Sequence, residues 1–91
     1  SDVDIRRANN VLLCLSESYE NINRYKKALN SLDKVNDLNS NKYIDLVLIK
    51  KGIIYKKVGL PKEAKKLFTR LLEKYPKSQY FSLAKEELKN I

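Results

Sequence analysis

Side chains able to do covalent or metal chemistry are scarce in this sequence. There is no histidine and no tryptophan, and Cys14 is the single cysteine. Zinc sites need several Cys/His ligands and disulfides need pairs, so neither can be built within one such chain. No catalytic residues, metal ligands or cofactor are expected. Cys14 sits in "NNVLLCLS", which has the outline of a lipid-attachment box. The apolar segment ahead of it is too short for a signal core of about 7–15 residues, so that reading is rejected. Cys14 is expected to be a partly covered structural thiol, since Arg6 and Arg7 lie too far back along a helix to stabilise a thiolate. Glu86 and Glu87 are adjacent, so on a helix they diverge by about 100° and cannot face each other as an acid and a base. Glu17 and Glu20 read as solvated helix surface. The six tyrosines fall mostly on helix faces and read as packing groups. The lysine pairs Lys26–Lys27, Lys50–Lys51, Lys56–Lys57 and Lys65–Lys66 point in different directions, and no Gly-rich phosphate loop exists. Specific nucleic-acid binding is therefore not expected.

Charge is unevenly placed. Residues 1–49 hold seven basic and seven acidic side chains, whereas residues 50–91 hold twelve basic and four acidic. The whole net charge of +8 lies in the second half. Such an excess favours acidic proteins or anionic surfaces as partners. Methionine is absent, so the sequence is expected to be a processed piece of a longer chain. No apolar run approaches the ~20 residues of a membrane span, and any membrane attachment is expected through an anchor outside these residues.

The elements that must carry these groups are helices. Val11, Leu12, Leu15, Tyr19 and Ile22 recur at three- and four-residue steps and predict one face of a first helix, with Asp2 or Asp4 as its cap. Asn21–Arg24 reads as a turn. A second helix from about Tyr25 turns Tyr25, Ala28, Leu29, Leu32 and Val35 inward, and residues 36–41 read as a turn. A third helix runs from about Lys42 to Val58 and stops at Gly59. Pro61 opens a fourth, with Ala64, Leu67, Phe68, Leu71, Leu72 and Tyr75 inward and Pro76 as its stop. Ser78 is the expected cap of a fifth, with Tyr80, Leu83, Ala84, Leu88 and Ile91 inward. Helices of about 12–19 residues joined by short turns predict an all-α chain of antiparallel neighbours.

The chain also repeats itself. Shifted by 36 residues, Leu12 falls on Leu48, Ser16 on Gly52, Tyr19 on Tyr55, Asn23 on Gly59, Ala28 on Ala64, Leu32 on Phe68 and Val35 on Leu71. Size classes match at every position. Each unit reads as a helical hairpin in which a small residue, Ser16 or Gly52, permits close approach, accepted by Ala28 or Ala64. Gly52 offsets its helix-propensity cost of about 1 kcal/mol through that contact.

The spacing L-x3-G-x2-Y-x3-G-x4-A-x3-F-x7-P, from Leu48 to Pro76, resembles a tetratricopeptide repeat. The copy from Leu12 is weaker, with Ser16 and Asn23 where the family has glycine. Leu48 stands in place of the usual tryptophan, and Leu71 and Val35 stand where alanine is common. The 36-residue offset exceeds the family's usual 34 and implies a longer turn near residues 38–41. The resemblance implies antiparallel helical hairpins: a single domain over 1–91, with one unit at about 9–41, a second at about 45–77 and a capping helix at about 78–91. It also implies a non-enzymatic scaffold that binds protein or peptide. The segment from Phe68 onward, with "YPKS" at 75–78, resembles the endings of bacterial envelope repeat proteins. The periplasmic coordinator of the Tol–Pal system and the repeat lipoprotein of the outer-membrane β-barrel assembly machine are two such groups. That likeness implies a periplasmic or envelope adaptor; the cytoplasm is the alternative location.

In this family the inner helix faces grip peptides, which implies a groove here lined by Leu46, Ile49 and Ile53, bordered by Lys50, Lys56 and Lys57, with Leu13 and Glu17 from the first helix. The three apolar residues lie about 100–160° from the hairpin-packing side of Leu48, Gly52 and Tyr55, which leaves them without an intramolecular place. The expected occupant is a protein segment with Asp or Glu beside its apolar anchors, or a second copy of the chain. The Lys/Asn clamp of the family's carboxylate binders is not matched. A basic surface module for anionic lipid or nucleic acid is the alternative function.

Overall fold

A computed structural model describes residues 1–35 and 43–91. All regular structure among them is helical: α1 (Asp2–Asn21), α2 (Tyr25–Asp33), α3 (Ile44–Lys57), α4 (Pro61–Lys74) and α5 (Phe81–Lys89). The expected turn at 36–41, the helix start at Lys42 and the lengthened connection lie outside the described residues. The chain divides into two compact units, Ser1–Ser40 and Asn41–Ile91, so the capping helix belongs with the second hairpin.

In the first unit α1 packs on α2. Ser1, not Asp2 or Asp4, caps α1; its hydroxyl oxygen accepts from the Asp4 backbone N–H at 3.3 Å. The helix therefore starts well before the expected unit boundary near residue 9. Its inward line differs in part from expectation. Ser16 is buried, as its close-approach position in the repeat predicts, and Leu12 and Tyr19 are half-buried, but Asn9 is buried as well, while Val11 and Ile22 are 57% and 63% exposed and Leu15 is exposed too. The packing face is turned by about 100° toward the small polar residues. Ser16 satisfies its own hydroxyl by donating to the Leu13 carbonyl at 2.7 Å, so burial leaves no orphaned donor. Cys14 is exposed, not partly covered, because it too lies off that line. On α2, Ala28 and Leu32 are buried and Tyr25 and Leu29 half-buried, as the spacing predicts; Ser31 is buried as well, and Val35, half-buried, lies just past the helix end.

Both hairpin turns are built alike. Arg24 N–H donates to the Tyr19 carbonyl at 2.8 Å and Asn23 N–H to Glu20 at 3.0 Å. In the second hairpin Leu60 donates to Tyr55 at 2.8 Å and Gly59 to Lys56 at 3.1 Å. These are the paired six-residue and four-residue closures that finish a helix on a left-handed residue. The left-handed residues are Asn23 (φ 61) and Gly59 (φ 82), the two positions that coincide in the repeat. The 36-residue offset is thus a repeat of hydrogen bonds as well as of side chains.

The second unit stacks α3 on α4 and α4 on α5. Its core is Leu48, Ile49, Ala64, Phe68, Leu71 and Ala84. At its centre the Phe68 ring lies against Gly52. A Cβ placed on Gly52 would stand 2.5 Å from Phe68 Cε1 and 2.7 Å from Cζ. The close partner is therefore Phe68, one turn beyond the expected Ala64. α4 begins at Pro61 as predicted and buries or half-buries all six of its expected inward residues. α5 departs from expectation. It starts at Phe81 with no side-chain cap, and both α2 and α5 are nine residues long, shorter than predicted. Leu83 and Ile91 are exposed, and Phe81 and Glu87 join Tyr80, Ala84 and Leu88 on the inward side.

Two stability outcomes follow. Gly52→Ala forces the Phe68 ring off its site and should destabilise by about 1–3 kcal/mol, although alanine is the better helix former. Gly59→Ala meets no steric obstacle but keeps a left-handed φ, so it should cost about 1 kcal/mol. Thermal melts check both; an unchanged midpoint for Gly52→Ala would contradict the contact.

Candidate functional site

The expected groove residues are distributed unequally. Ile49 is 2% exposed and belongs to the core of the second unit. Leu46 and Ile53 are half-buried and pack against the same core. The expectation that these three lack an intramolecular place is corrected. Ala84, Leu88 and Tyr80, from α5 and the turn before it, belong to the same apolar cluster. Lys50 is half-buried and Lys57 exposed. Lys56 is engaged: its ammonium donates to Glu87 Oε2 at 2.6 Å. Leu13 is half-buried and Glu17 exposed, both on α1 of the other unit.

Two polar links fasten α3 to the α5 end of the chain, and the pattern of the sequence did not reveal either. One is Lys56–Glu87, between the last turn of α3 and α5. The other is Asp45–Ser78. The Ser78 hydroxyl donates to Asp45 Oδ2 at 2.5 Å and accepts from the Tyr80 N–H at 3.0 Å. The other carboxylate oxygen of Asp45 accepts from the Leu46 N–H at 2.9 Å. Ser78 thus orders the turn before α5 instead of capping the helix. Both partners of each link are half-buried, where a charge-assisted hydrogen bond holds orientation better than on an open surface. The only local signal was Ser78 within "YPKS"; nothing in the spacing of Asp45 or Glu87 points to a partner in the other helix.

On α3, Leu46, Lys50, Ile53 and Lys57 fall within about 60° of one another around the helix; the first three are half-buried and Lys57 is exposed. A second surface lies on the outer side of α4. There Lys62, Lys65, Lys66, Arg70 and Lys74 surround Thr69 in a shallow open depression, with Glu73 as an acidic member. Among the described residues, no group of three or more His, Cys, Asp or Glu comes together. No helix among them is long and apolar enough to cross a membrane.

Residues 46–78 match the tetratricopeptide repeat family model. The match runs from α3 to Ser78 and so covers the hairpin and the turn that Ser78 orders. Repeats of this kind are non-enzymatic modules that mediate protein–protein interaction. No curated protein and no solved structure is significantly similar to the chain.

Placing a charge at the core position of the strip should be far more damaging than placing one at its edge. Ile49→Asp buries an unpaired carboxylate and should cost several kcal/mol, enough to unfold a small unit. Lys50→Glu should shift stability by no more than about 0.5 kcal/mol. Helical circular dichroism through a melt separates the two. An Ile49→Asp protein that stays folded would return Ile49 to the surface.

Proposed function

We propose that the chain is a non-enzymatic protein-binding scaffold that serves as an adaptor in the bacterial cell envelope. The observation that carries the scaffold reading is the match of residues 46–78 to a tetratricopeptide repeat, together with the second hairpin's hydrogen bonds recurring 36 residues earlier in the chain. The envelope reading is supported by the resemblance of the Tyr75–Ser78 ending to envelope repeat proteins. A periplasmic location goes with it.

The partner segment docks on the open band of α3. Leu46 and Ile53 offer their exposed edges, and Lys50 and Lys57 favour Asp or Glu on either side of the partner's apolar anchor. Ile49 and Lys56 act from beneath: the first as core, the second through Glu87. Leu13 and Glu17 on α1 provide a further contact surface. A second copy of the chain is the other candidate occupant.

A photo-reactive side chain at position 50 should cross-link a specific protein in cells, whereas one at position 70, on the outer side of α4, should not. Equal or absent cross-linking at the two positions would contradict docking on α3. A cross-linked product of twice the chain's own mass would assign the band to self-association. Recovery of the full-length protein in the cytosol on fractionation would reject the envelope role and leave the scaffold reading standing.

A further inference from the structure

We infer that the α3–α4 turn, Val58–Gly59–Leu60–Pro61, is a tip that seats on an anionic phospholipid surface. All four residues are exposed, Val58 by 39% and Leu60 by 47%. The backbone bonds from Leu60 and Gly59 and the left-handed φ of Gly59 fix the backbone of the turn, which presents Val58 and Leu60 to solvent. A collar of ammonium groups surrounds them. Lys57, Lys62, Lys65 and Lys66 are exposed, and Glu63 is the only acid between residues 56 and 66. Lys65 and Lys66 stand five and six residues behind Leu60, about 7–9 Å along a helix. That distance matches the depth of about 5–10 Å to which interfacial segments bury their apolar side, which sets the collar at headgroup level.

The first hairpin provides an internal control. Its turn has the same backbone bonds, yet the positions of Val58, Leu60 and Pro61 are filled there by Ile22, Arg24 and Tyr25. The turn geometry therefore does not demand three apolar residues at its tip. Their presence at the second turn is a property of that surface. The shape also selects the partner. A stable protein interface needs about 800 Å² on each side, far more than a convex four-residue tip offers. A bilayer interface needs no complementary pocket, and its negative potential draws clustered lysines toward it. Binding of this kind is reversible, and it adds a lipid contact within these residues to the protein-binding role.

Vesicles test it with the full chain. Flotation should recover the protein with phosphatidylcholine vesicles containing phosphatidylglycerol and about tenfold less with phosphatidylcholine alone. Val58→Ser with Leu60→Ser should lower binding by about tenfold with helical content unchanged. Lys62→Gln with Lys66→Gln should also weaken it and flatten its salt dependence. The chain has no tryptophan, so Leu60→Trp gives a single reporter whose emission should shift to the blue on anionic vesicles. Absence of vesicle binding would overturn the inference, as would binding that the serine variant retains in full, which would be adsorption by charge alone. Retention on poly-glutamate without vesicle binding would overturn it in favour of an acidic protein.

Discussion

The Phe68 ring lying on Gly52 is the contact from which the second unit is built. It sets how near α3 and α4 approach, because any side chain at position 52 would occupy the space of the ring. Close approach in turn closes the hairpin over Ala64 and Leu71, in one buried cluster with Ile49 and Ala84. The glycine's propensity cost of about 1 kcal/mol is small beside the burial of a whole phenyl ring, worth about 1.5–3 kcal/mol. The first unit solves the same problem with Ser16, which gains a hydroxyl that must be satisfied and finds the Leu13 carbonyl one turn back.

Polar pairs at both ends of α3 hold the α5 segment in place. Asp45–Ser78 fixes the approach to α5, and Lys56–Glu87 fixes its far end. The core takes Ile49, and Glu87 of α5 takes Lys56, so the docking surface we propose on α3 is small: the edges of Leu46 and Ile53 with Lys50 and Lys57. The cationic outer side of α4 shares Lys62, Lys65 and Lys66 with the collar of the apolar turn beside it.

Much of this architecture was legible in the sequence because it rests on local chemistry. Asn23 and Gly59 announce helix ends through the left-handed backbone they tolerate, and Pro61 opens α4 where its missing N–H is harmless. Gly52 was legible as a notch, though its partner was misplaced by one turn, since spacing alone does not say which residue of α4 lies opposite. The inward line of α1 was misread for a different reason. Hydrophobic periodicity favoured Val11, Leu15 and Ile22, whereas the fold buries Asn9 beside Ser16, which only the repeat pointed to. A small or hydrogen-bonded polar residue can be a better packing surface than a branched apolar one, and no hydropathy pattern records that. The candidate site was least legible. Ile49 has the same phase whether it faces a partner or the core, and the residues that tie the α5 segment to α3, Ser78 and Glu87, are more than thirty positions away from their partners Asp45 and Lys56.

The central claim is the ring-on-glycine contact, and proton NMR reads it directly. The two Gly52 Hα protons should show nuclear Overhauser contacts to the Phe68 ring, and ring current should move their resonances away from ordinary helical glycine positions. Gly52 Hα resonances at ordinary positions, with no contact to Phe68, would contradict the account of how the hairpin closes and, with it, the placement of Ile49 in the core.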